Sequence, residues 1–256
     1  HGLTAIWKPV AYDLLSYDKP ISIMPPGLNE CGILSERNRS KIKEAICKAL
    51  EIPSQSLILG YSGSIRYLDE EFETFLKAFQ LTSSKASSYL LIWGRDWNPY
   101  LTDFLIKKYN LQNKVFLLGL LPEKEAFELQ QAVDILCCPG FNSSFNQKRL
   151  PSRLCNYFYF GKAILMHIIG FGESLQNGVD AVLTETDDFN EWAEKLHLII
   201  TNSSLRETLE QNSTLIAKKY FNMRENTRKL VSFYEKTLSN SDEITSDEEK
   251  HISHIP

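Results

Sequence analysis

The chain is short of the residues that define several protein classes. Five cysteines with no C-x-x-C pair supply neither a disulfide framework nor a zinc-site spacing. Ten prolines and twelve glycines in 256 residues are too few for a collagen-like or linker sequence. Long apolar runs are missing as well: Ala163 to Ile169 is among the longest and falls far short of the ~20 residues that cross a bilayer. The start lacks a basic segment followed by an apolar one, so no secretory signal is read there. Charge of one sign is also absent. Against 28 Lys and Arg stand 32 Asp and Glu, and a net charge of −4 gives no electrostatic drive toward nucleic acid. The expectation is a soluble protein of a reducing compartment, the cytoplasm. Residue 1 is His rather than Met, which reads as a processed, excised or partial chain.

With 43% apolar residues the chain is able to bury a core without staples, as one large domain or two small ones. Six short apolar runs recur: Leu57 to Tyr61, Tyr89 to Trp93, Val115 to Leu118, Ile135 to Cys138, Ala163 to Met166 and Ala181 to Leu183. None alternates cleanly with polar residues, so each reads as a parallel strand covered on both faces. Between them Phe72, Phe75, Leu76 and Phe79 fall at helical spacing, as do Leu154, Tyr157 and Phe158. The pattern predicts a doubly wound, Rossmann-like α/β domain over 31–238, mostly parallel, with extra C-terminal helices. Its ligand site would lie at the carboxyl ends of the strands, where the strand order reverses.

The flanks differ. Residues 1–30 hold a short strand, Lys19 to Met24, running into Pro25-Pro26-Gly27. From Ser239 to Pro256 the helical pattern stops, and an acidic, mobile tail is expected. Taking the tail's five acids and one base from the totals of 32 and 28 leaves 27 of each sign, so the body is neutral and only local charge can be informative.

Four loops could carry chemistry. Gly60-Tyr61-Ser62-Gly63-Ser64-Ile65-Arg66 follows the first main strand. Glycine lets main-chain N–H groups approach an anion and the serines add donors, although a tight strand-to-helix turn has the same composition. It is neither G-x-G-x-x-G nor a P-loop. Trp93-Gly94-Arg95-Asp96-Trp97 lies on the same edge, with Arg95 reaching either a ligand or Asp96. Lys148, Arg149 and Arg153 surround a predicted helix start with Pro151 at its first position. Cations there oppose the helix dipole, a conflict that a phosphate or neighbouring carboxylates would resolve. Gly170-Phe171-Gly172-Glu173 suits either helix capping or a hydrogen bond to a sugar hydroxyl. His167 and His197 lack metal-ligand spacing, no G-x-S-x-G elbow occurs, and Cys137 and Cys138 read as inert thiols in a buried strand.

The order of these blocks resembles the large retaining glycosyltransferase family of the GT-B fold, group 1, over about Lys19 to Leu238. Leu59-Gly60-Tyr61-Ser62-Gly63-Ser64 is similar to its first donor-domain loop. Leu150-Pro151-Ser152-Arg153-Leu154-Cys155-Asn156-Tyr157, running to Gly161-Lys162-Ala163-Ile164, is similar to its P-x-K-x-x-E-Y-x-x-x-G-K-P-V-I helix, and Gly170-Phe171-Gly172-Glu173 to its GG-x-E segment. The resemblance implies one half of a GT-B enzyme, with 1–30 the remnant of an interdomain segment. It implies a UDP- or GDP-linked sugar as substrate and no metal or other cofactor. Gly63, Ser64, Arg66, Arg95, Lys148, Arg153 and Asn156 would face the donor nucleotide and its phosphates, and Phe171, Gly172 and Glu173 its sugar. It further implies a preceding acceptor-binding domain, through which any peripheral membrane association would occur. The chain departs from the family at Lys148 and Asn156, where the resemblance places glutamates. An Asn can serve a ribose hydroxyl, whereas a Lys cannot replace an acceptor carboxylate. A degenerate, non-catalytic binding or assembly module is therefore the alternative, and a GT-B sugar-nucleotide epimerase a third reading.

Overall fold

The structure, a computed structural model, describes residues 2–28, 32–65 and 70–252, with side chains as far as 239. In chain order it contains β1 (Leu3–Ala5), α1 (Lys8–Leu14), β2 (Ile21–Ile23), α2 (Glu36–Ala49), β3 (Leu57–Ser62), α3 (Glu70–Ser83), β4 (Ser88–Trp93), α4 (Pro99–Lys108) and β5 (Val115–Gly119). There follow α5 (Glu123–Ala132), β6 (Ile135–Cys138), α6 (Ser144–Gln147), α7 (Arg153–Tyr159), β7 (Ala163–His167), β8 (Val182–Thr184), α8 (Phe189–Thr201), α9 (Ser203–Tyr220) and α10 (Met223–Ile252).

The six expected runs form one parallel sheet in the order β5-β4-β3-β6-β7-β8. Successive strand residues serve opposite faces. Ile58, Leu91, Leu136 and Ile164 join one apolar cluster, while Leu59, Leu90, Ile135 and Leu165 join the other. Each buried aliphatic side chain contributes roughly 1.5–3 kcal/mol, which is why these runs read as continuous rather than alternating. The helical spacing of α3 is borne out by Phe72, Phe75, Leu76 and Phe79, all buried. Ser35, Asn98, Asp188 and Asn202 accept main-chain N–H bonds at the starts of α2, α4, α8 and α9. Strand order reverses between β3 and β6, and this division opens the crevice described below.

Three details differ from the sequence reading. The first 30 residues contain more than a strand: β1, α1 and β2 form a β-α-β unit with its own two-stranded parallel sheet. A three-residue strand and a seven-residue helix with Pro9 in its first turn were too short to show periodicity. Trp7 anchors this unit, packing 5.0 Å from Phe171 and 5.7 Å from Tyr220. At the other end the helix does not stop at Leu238. α10 continues to Ile252, and 239–252 contains no Gly or Pro to break it. Finally, Pro151 lies before the cap of α7 rather than at its first position; Ser152 is the cap and Arg153 opens the helix.

Candidate functional site

At the carboxyl ends of β3 and β6 a cleft of about 960 Å³ opens. Its floor is Ser62, Gly63 and Ser64. Trp97 and the α5 residues Glu123 and Phe127 line one side, Arg149 through Arg153 with Asn156 another, and Pro26, Gly27 and Leu28 the front.

Gly63 has φ +145°, a conformation that favours glycine, and a Cβ there would lie 2.7 Å from Arg153 Cζ. The missing side chain is what admits the guanidinium. Arg153 Cζ sits 4.8 Å over the Tyr61 ring, and its Nη1 is shielded from water without a hydrogen-bond partner among the described residues. No carboxylate pairs with Arg153 or Arg149 among the described residues. Burial disfavours the Arg153 charge, but the electron-rich Tyr61, Cys138 and Tyr157 around it outweigh that and hold its pKa above the ordinary value. A cation kept charged in a half-closed crevice with a donor unspent is a candidate site for an anion. α7 is only seven residues long, so the attraction comes from this guanidinium rather than from the helix dipole.

The residues singled out from sequence divide into three groups. Gly63, Ser64, Arg153 and Asn156 all line the cleft. Arg95 and Lys148 do not. Arg95 stacks 4.7 Å over Trp97, and Lys148 Nζ is paired with Asp13 Oδ2 of α1 at 2.5 Å. Arg66 lies outside the described residues. The three sugar-contact candidates are not brought to the cleft either. Phe171 is fully buried among Trp7, Phe158, Tyr220 and Phe221, and a Cβ on Gly172 would meet the His167 carbonyl at 2.6 Å, so both are packing residues. Glu173 is exposed on the turn beside them.

Two placements were not legible in the sequence. Arg149, not Lys148, reaches the cleft, where its Nη1 donates to Asn146 Oδ1 at 3.3 Å. Nothing in one sequence tells adjacent cations apart, because which one points inward depends on the short helix α6 preceding them. His167 lies against a carboxylate, with Nε2 3.2 Å from Asp187 Oδ1 at ion-pair distance but not aligned for a hydrogen bond, while its Nδ1 accepts from the Ile169 N–H at 3.2 Å. Burial pulls the His167 pKa below the ordinary value and Asp187 partly offsets it. Asp187 also accepts the Asn142 N–H at 2.8 Å and so ties the loop after β6 to the end of β7. Burial holds the thiols of β6 and α7 in their protonated form. Cys137 and Cys138 are buried in β6 with raised pKa values, and burial pushes Cys155 up to about 12. Cys31 lies outside the described residues. Among the described residues no helix is long and apolar enough to cross a membrane.

Comparison with known proteins agrees with this architecture. Residues 42–215 match the family described as Glycosyl transferases group 1. The chain is 25% identical over 182 residues to the N,N'-diacetylbacillosaminyl-diphospho-undecaprenol alpha-1,3-N-acetylgalactosaminyltransferase of Campylobacter jejuni, covering 71% of this chain and 45% of that protein. A glycosyltransferase from Rickettsia africae superposes with a TM-score of 0.75 at 19% identity, over 93% of this chain and 64% of its own. HepE from Anabaena, crystallised with UDP and glucose, superposes with a TM-score of 0.72 at 14% identity, over 92% and 63%. The chain therefore spans less than half of the curated relative and under two-thirds of these solved structures.

Proposed function

Because this chain belongs to the group 1 glycosyltransferases, we propose that it is the donor-binding half of such an enzyme, taking a UDP- or GDP-linked sugar in the β3–β6 cleft in the cytoplasm. One observation carries the reading: Arg153 is a charged, half-buried guanidinium without a carboxylate partner among the described residues, and its Nη1 is left unspent beside Gly63. A diphosphate supplies the missing acceptors. Arg149 adds a second cation and Asn156 a group able to bond a ribose hydroxyl from the same cleft. Glycosyl transfer builds negative charge on the departing diphosphate. Fixed cations and N–H groups that stabilise that charge more than they stabilise the bound donor lower the barrier. The acceptor would be held by parts of the protein outside this chain. The bound UDP of the Anabaena structure supports a nucleotide donor here.

The Lys148–Asp13 pair favours a second reading. Lys148 stands where the family resemblance places a glutamate and is tied to α1, so a member that keeps the cleft for binding without turnover is the alternative. Thermal unfolding with UDP, GDP and ADP tests the first reading: a nucleotide at 100 times its dissociation constant stabilises by about 2.7 kcal/mol. Arg153→Ala should abolish the shift. No shift of the wild-type protein with any nucleotide removes the donor reading, while a shift without transfer by the complete protein selects the second.

A further inference from the structure

β3 and β6 are paired only where Leu59 and Gly60 face Ile135 and Leu136. Along β3 the N–H groups of Leu57 and Gly63 donate toward β4, to the carbonyls of Ser87 and Trp93. Those of Ile58, Gly60 and Ser62 consequently point to the β6 side. Beyond the paired stretch the strand partner is missing, and at each end a side chain replaces it. At the lower end the Ile58 N–H donates to Asp134 Oδ2 at 2.7 Å. At the upper end, where the cleft begins, the Ser62 N–H donates to the Tyr157 hydroxyl at 3.0 Å. Tyr157 reaches this point from α7 and is fully buried.

The phenol is fully used there. It donates to Ser62 Oγ at 3.2 Å, and Gln130 Nε2 of α5 donates to the same oxygen at 3.4 Å. Burial raises the Tyr157 pKa, so it remains a neutral hydroxyl that both donates and accepts. A serine oxygen accepts two hydrogen bonds, and here both are supplied from below. The Ser62 proton has no acceptor among the described residues, and Ser62 lines the cleft next to Gly63 and Arg153. We infer that Tyr157 is the positioning residue of the diphosphate site: it replaces the strand partner that β3 loses where the sheet divides, fixes the main chain at Ser62 and Gly63, and leaves the Ser62 hydroxyl to donate to a phosphate oxygen. This rests on the donor reading above and deepens it, since it makes Ser62 a ligand donor and Tyr157 the group that aims it.

Tyr157→Phe keeps the ring but strands a buried N–H, so a lower Tm is expected whatever the role and decides nothing alone. The deciding experiment is isothermal titration of UDP, GDP, uridine and guanosine into wild-type protein, Tyr157→Phe, Ser62→Ala and the double variant. Each single change should weaken diphosphate binding about tenfold, the scale of one hydrogen bond, and leave nucleoside binding within about twofold. The double variant should be no weaker than either single one, because the two groups act as a unit. Diphosphate affinity unchanged in Tyr157→Phe, nucleoside affinity falling in parallel, or losses that multiply in the double variant would each overturn the inference and leave the donor reading standing. A wild-type protein that binds no diphosphate overturns the donor reading and this inference with it.

Discussion

The two walls of the cleft are held by different kinds of bond. On the β3–β4–β5 side the loops are laced main chain to main chain: Gly63 N–H to the Trp93 carbonyl at 2.9 Å, Gly94 N–H to that of Gly119 at 2.9 Å, and Ile65 N–H to that of Arg95 at 2.9 Å. On the β6–β7 side the cross-links are side chains. Asp187 takes the Asn142 N–H and faces His167, while Asn146 Nδ2 donates to the Phe141 carbonyl at 2.9 Å and is also bonded to Glu71. The first wall tolerates almost no change of backbone shape, and its main-chain cross-links contain no titrating group. The second accepts substitutions but contains groups that titrate. A cleft built this way has a rigid floor facing a wall that proton binding can loosen.

Gly94→Ala should break the first wall with the largest effect. Gly94 has φ +135°, and a Cβ would fall 2.1 Å from the Gly63 carbonyl oxygen, a main-chain atom that cannot rotate away. Strain of this kind costs about 1–3 kcal/mol before the clash is counted. Urea unfolding should therefore show a loss of at least about 3 kcal/mol, accompanied by loss of nucleotide binding. Full stability would mean that this wall is not locked by its backbone.

The second wall should respond to acid, by a smaller amount. The folded-state pKa of His167 lies below its unfolded value of 6.5, because burial disfavours its charge more than Asp187 and Glu191 favour it. Below pH 6.5 the unfolded chain binds a proton that the folded one resists. Stability contributed by the neutral imidazole is thus present above that pH and lost as pH falls through the folded pKa. Urea midpoints measured from pH 7.5 to 5 should decline, His167→Gln should flatten the decline, and Asp187→Asn should steepen it by removing the favourable charge. An unchanged slope in His167→Gln would assign the acid sensitivity elsewhere.

This contrast also explains how far the sequence could be read. The sheet was legible because each strand is buried on both faces and leaves a continuous apolar run, and the floor of the cleft was legible because Ser62, Gly63 and Ser64 are consecutive small residues at the end of a strand. Arg153 and Asn156 followed from their helix. The second wall was not legible. Its partners, Asp187 with Asn142 and Asp13 with Lys148, are 45 and 135 residues apart, and no local pattern joins them. The same blindness placed Phe171 at the sugar, although its ring closes an aromatic cluster with Trp7, a residue in a unit too short to be foreseen.

Lys148 gives the smallest expected effect and the sharpest use of the comparison. Its partner is Asp13, and both side chains are about half exposed, 48% and 51%. A pair in that environment is screened by water and must order two flexible side chains, so Lys148→Ala should change stability by no more than about 0.5–1 kcal/mol. It should also leave UDP and GDP affinity within about twofold, since the cations that line the cleft are Arg149 and Arg153. Arg149→Ala should instead weaken both nucleotides. If titration gave the reverse order, with Lys148→Ala abolishing binding and Arg149→Ala without effect, the loop after β6 must rearrange when the donor enters. The second wall would then be a moving part of the site rather than its fixed edge.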